Sequence, residues 1–113
     1  MRHTLRVLVV VAIVLSIALS STPTEAQPKK ITSSNYFGCK SREYRDKITG
    51  YIVQGDKEAF SKALATGVAR GECTLFNAGE EVFVTDTAMF SGLLKVRRKG
   101  ETAEYWTNIE AVK

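Results

Sequence analysis

Histidine, cysteine and paired carboxylates supply most protein chemistry, and this sequence is sparing with all three. Its one histidine is His3, and its two cysteines are Cys39 and Cys73. His3 falls in an N-terminal stretch that reads as a leader. The rest of the chain then has no imidazole for a Ser–His or Cys–His nucleophile or for zinc. Glu80 and Glu81 are adjacent, so on a strand they face opposite ways and cannot act together on one substrate. Asp86 stands alone. Glycoside hydrolysis by carboxylates needs two acids across a cleft, and a chain this small is not expected to form one. The residues therefore predict a protein that is not an enzyme and needs no cofactor or metal.

The cysteines take their meaning from the leader. Arg2 and Arg6 precede the apolar run "VLVVVAIVLSIAL" (7–19), and the polar "SSTPTEA" follows. That is the layout of a signal peptide, with an apolar run short for a membrane span. Cleavage is expected after Ala26, with Ser20 as the alternative site and a retained anchor as the competing reading. A periplasmic or secreted chain, with no membrane attachment after cleavage, is the expectation. In that setting Cys39 and Cys73 read as a disulfide, the alternative being a redox pair, which usually spaces its cysteines two residues apart. The formal charge of +4 drops by one when Arg2, Arg6 and Glu25 leave with the leader. Such a balance lacks the dense basic stripe of a nucleic-acid binder, so no nucleic-acid partner is expected.

The elements that would position these residues fall into three stretches. Residues 27–38 ("QPKKITSSNYFG") lack periodicity and read as a flexible N-terminal arm. Residues 39–71 read as a helical hairpin. Tyr44, Ile48, Tyr51 and Ile52 follow helical spacing after a Ser41 cap, and Gly55 and Asp56 break and restart the chain. Phe60, Ala63, Leu64, Gly67 and Val68 then form a second apolar stripe, ended by Gly71. From Cys73 the period becomes two. "CTLF", "EVFVTD", "LLKVRR" and "AEYWT" are strands joined by glycine-containing turns, and "NIE" is a short helical turn before "AVK". Residues 39–113 thus make a single mature domain. Its expected core includes Val82, Val84, Leu94, Val96, Trp106, Phe60 and Leu64.

The order "LFNAGEEVFV", a variable loop, "LLKVRRKG", "EYWT", a short turn and "AV" resembles a bacterial Src-homology-3-like barrel over residues 73–113. The whole chain also resembles small exported proteins of Gram-negative bacteria, a family that brings no known activity with it. The resemblance implies a small antiparallel β-barrel, and with the helical hairpin read from the spacing ahead of it the expected fold is α+β, an N-terminal helical hairpin followed by that barrel. Thr107 stands where peptide-binding relatives carry a proline, and Ala111 where they carry a tyrosine. Polyproline binding is therefore not implied.

Two surfaces are candidates for a partner. Alternation turns Lys95 and Arg97 away from Leu94 and Val96, and by the barrel analogy Tyr105 joins them outside while Trp106 faces inward. The cations are either a solvated edge that resists edge-to-edge pairing or a basic-aromatic patch for an anionic group. Met89 and Phe90 either fold back over one barrel mouth or form a partner-facing patch. The expected function is that of an exported binding module touching peptidoglycan or an envelope protein. The alternative is a small inhibitor or immunity-type protein that blocks an envelope enzyme. The sequence leaves the oligomeric state open.

Overall fold

The computed structural model describes residues 27–113, and the leader read at 1–26 lies outside them. Strands β1 (Lys29–Lys30) and β2 (Phe37–Cys39) come first. Helices α1 (Arg42–Val53) and α2 (Lys57–Ala69) follow, and then strands β3 (Cys73–Leu75), β4 (Glu81–Ala88), β5 (Leu93–Arg98) and β6 (Glu104–Asn108). One-turn 3-10 helices at Met89–Ser91 and Ile109–Ala111 follow β4 and β6.

Local chemistry sets the helix ends. The Ser41 side chain accepts a hydrogen bond from the Tyr44 amide at 3.1 Å, and Asp56 does the same for Ala59 at 2.9 Å. Each side chain satisfies one of the donors that a helix start leaves unpaired. Ile48 is buried on α1, while Phe60, Ala63 and Leu64 on α2 pack towards it and the cysteines. Ile52 and Val68, which the helical stripes would bury, remain exposed. α2 is covered on one side only.

The class is α+β, but the expected architecture needs correction in two respects. The strands form one open six-stranded antiparallel sheet, in the order β1-β4-β5-β6-β2-β3, and not a closed barrel. The helices do not lead into a barrel either: they are inserted between β2 and β3. The expected loose arm is where the difference arises. Lys29 pairs with Val82 and Lys30 with Glu81, Ile31 is buried, and Phe37–Cys39 pairs with Cys73–Leu75. β1 and β2, of two and three residues, show no period-two alternation, so they are silent in the sequence.

The sheet's edges are these short strands, β1 and β3. A charged side chain on β5 ties the residue before β4 to β3. Arg98 on β5 bonds both carboxylate oxygens of Glu80 (3.1 and 3.3 Å), the Thr74 hydroxyl (2.6 Å) and the Leu75 carbonyl (2.7 Å). Its guanidinium also lies 5.0 Å from the Phe76 ring centroid. The sheet curls around one apolar cluster formed by Ile31, Phe76, Val82, Leu94, Val96 and Tyr105, with Val84 at its margin.

A second cluster sits under the helices and is built on the cysteines. Cys39 and Cys73 are register partners across β2 and β3 and are joined as a disulfide closing 34 residues. Ile48, Tyr44, Phe60 and Leu64 surround it. The bridge is expected of a chain that folds in a non-reducing compartment.

Candidate functional site

The β4–β5 hairpin and β6 carry the residues singled out as candidates. Pairing of Val96 with Tyr105 and of Lys95 with Trp106 decides their faces, because residues directly opposite in an antiparallel pair project to the same side. Val96 is fully buried in the inner cluster, so Tyr105 must face inward with it, and it is 9% exposed there. Its ring meets Phe76 edge-on at 6.4 Å. The inward Trp106 and outward Tyr105 of the barrel analogy are thus exchanged, and Tyr105 is not part of a partner surface.

Trp106 lies on the outer face and is still only 8% exposed, because two cations cover it. Lys95 Nζ stands 5.1 Å from its ring centroid, and the Arg42 guanidinium 5.2 Å. Such contacts are favourable by about 0.5–1 kcal/mol each at exposed sites. Lys95 also faces Glu104 at 3.8 Å. Arg97, on the same side, lies 4.9 Å from the Phe83 ring and donates to the Glu101 carbonyl at 2.9 Å. The outer face is therefore a row of cations laid over aromatic rings. Lys95 and Arg97 belong to it. Phe83 joins it, as alternation in "EVFVTD" turns it away from Val82 and Val84, and so does Arg42, which has no signal in the local sequence because only the tertiary fold brings the start of α1 to β6.

Met89 and Phe90 project from the end of this row. Met89 is 66% exposed and Phe90 is fully exposed, so neither folds back over the sheet. Their turn is tied down on several sides. Gly92 takes the left-handed conformation (φ 67°) that closes it. The Gly92 amide donates to the Met89 carbonyl at 3.1 Å, and the Ile109 amide to the Gly92 carbonyl at 3.0 Å. Arg42 Nη2 donates to the Ser91 hydroxyl at 3.0 Å. A groove of about 440 Å3 beside the turn is lined by Arg42, Thr87, Ala88, Met89, Phe90 and Ser91.

Beneath this face lies Arg45, 6% exposed. Burial lowers its pKa from the usual arginine range, while Asp46 and Glu110 pull it back up. It donates to the Asn108 side chain and lies 5.8 Å from the Phe37 ring, but its Nε–H has no partner. Among the described residues no three His, Cys, Asp or Glu side chains come together as metal ligands, and no helix is long and apolar enough to cross a membrane. Compared with protein-family models, curated proteins and solved structures, the chain matches none.

Proposed function

We propose that the protein is an exported, non-enzymatic binding module of the bacterial envelope, with peptidoglycan or an envelope protein as its partner. One observation supports this most: a hydrogen-bonded hairpin tip presents exposed Met89 and Phe90 beside Arg42, which with Lys95 also lies over Trp106. A backbone turn already braced by hydrogen bonds loses less entropy on binding than a loose loop, and the neighbouring cations steer an anionic surface towards it. Peptidoglycan is such a surface, bearing carboxylates on its stem peptides. Incubation with a peptidoglycan suspension tests both parts of the proposal. Turbidity should hold steady while the protein sediments with the polymer at low salt. Clearing of the suspension would overturn the non-enzymatic reading.

A second reading rests on Phe90 alone. A single aromatic side chain projecting from a braced turn suits a plug in the cleft of an envelope enzyme, which is the inhibitor alternative. Protein that stays in the supernatant at low salt would favour this reading over peptidoglycan binding.

A further inference from the structure

On the side of the helical insertion away from the sheet's cluster, a crevice of about 410 Å3 opens between α1 and α2. Its walls come from two stripes at helical spacing. Tyr44, Lys47 and Tyr51 stand at i, i+3 and i+7 on α1, and Ala59, Lys62, Ala63, Thr66 and Arg70 line the α2 side. Ala59 and Ala63 are small and leave the floor shallow and open. The Tyr44 hydroxyl donates to the Ala63 carbonyl at 2.8 Å, which fixes the orientation of its ring. Tyr44 and Tyr51 are half-buried, whereas Lys47, Lys62 and Arg70 are exposed.

Every charged side chain lining the crevice is a cation. Lys62 has an exposed partner in Glu58, at 3.0 Å one helical turn away. Lys47 and Arg70 make no ion pair among the described residues. Half-buried aromatic rings with exposed cations around them, in an open crevice, match one ligand chemistry well. The C–H face of a sugar ring can rest on tyrosine, and an acidic substituent on that sugar can meet ammonium and guanidinium groups.

We infer that this crevice is a binding site for an anionic saccharide. Tyr44 and Tyr51 contact the ring, and Lys47, Lys62 and Arg70 hold its carboxylate. The inference rests on the proposed envelope function and deepens it, since the N-acetylmuramic acid of a glycan strand carries a free lactyl carboxylate where no stem peptide is attached. It also separates two surfaces, a crevice for glycan and a hairpin tip that adds a second contact. Two contacts on one polymer raise overall retention beyond either alone.

The test is an amide-resolved NMR titration of the disulfide-bonded protein with the soluble N-acetylglucosamine–N-acetylmuramic acid disaccharide. Neutral chitobiose and free lactate serve as controls. The expected result is saturable shifts at Tyr44, Lys47, Tyr51, Lys62 and Arg70, weakened by salt, with each control binding at least tenfold more weakly. Lys62→Glu combined with Arg70→Glu changes only exposed side chains, and should lower affinity for the disaccharide at least tenfold with the dispersion of the spectrum unchanged. Shifts confined to the hairpin, no shifts at millimolar disaccharide, equal binding of lactate, or full affinity in the double variant would each overturn the inference. Sedimentation with whole peptidoglycan is read separately. A protein that sediments but shows no crevice shifts loses this site and keeps the envelope function. One that binds the disaccharide in the crevice but does not sediment keeps the site and loses the peptidoglycan reading.

Discussion

A Cβ added at Gly67 would lie 2.8 Å from the Cys73 sulfur and 2.9 Å from the Tyr44 ring. Gly67→Ala should therefore destabilise the protein by about 1–3 kcal/mol through overpacking, read as a lower urea midpoint. Trp106 is buried under Arg42 and Lys95, and Trp106→Ala should cost about 3–5 kcal/mol by leaving a cavity. Lys95→Ala with Arg97→Ala removes two stacked cations and should cost only about 1–2 kcal/mol. Arg45 behaves differently, because its buried Nε–H is unpartnered. Arg45→Met keeps the apolar length and sheds the buried charge, so it should match or exceed wild-type stability. Arg45→Ala leaves both the charge's space and the Phe37 ring uncovered, and should lose about 2–4 kcal/mol. Thermal melts of the two variants distinguish these outcomes, and equal losses would contradict this account of Arg45.

At the scale of elements, the long periodic segments and the short β3 were legible, and β1 and β2 were not. Ser41, Asp56 and the apolar stripes mark α1 and α2, and alternation marks β4 and β5, because those signals act over many residues. β1 and β2 are set by partners far along the chain: Lys29 by Val82, and Cys39 by Cys73 and Trp106. The faces of β6 were legible in principle. A tight turn centred on Lys99–Gly100 sets odd-numbered residues of β6 opposite even-numbered residues of β5. With Val96 buried, Tyr105 then has to face inward. The barrel analogy obscured that parity. Arg98 could not be anticipated at all, since its role appears only when Glu80, Thr74 and Leu75 are brought around it. Arg98→Ala should cost about 3–5 kcal/mol by leaving Glu80 partly buried without its cation. Arg98→Lys should recover only part of that, because one ammonium cannot reproduce the fork of bonds. Chemical denaturation of both variants provides the measurement.

For the whole molecule, two apolar clusters are held together by a short sheet and one covalent link. The disulfide closes 34 residues, and loop-closure entropy gives about 4 kcal/mol for a bridge of that span. Cys39→Ala with Cys73→Ala should lower stability by about 2–5 kcal/mol, with the helical insertion losing amide protection before the β4–β5–β6 core. The candidate binding surface was only partly legible for the same reason as the fold. Lys95, Arg97, Met89 and Phe90 are close in sequence, whereas Arg42 arrives from the insertion. We propose that this assembled surface binds an envelope component. Co-sedimentation with purified peptidoglycan, comparing wild type with a Met89→Ser, Phe90→Ser double variant, tests it most directly. Both variant side chains are exposed, so folding should be unaffected and the comparison reports binding alone. Wild-type protein should pellet at low salt and be released as salt rises, with several-fold less of the variant pelleted. Wild-type protein remaining in solution, or a variant that pellets equally well, would contradict it.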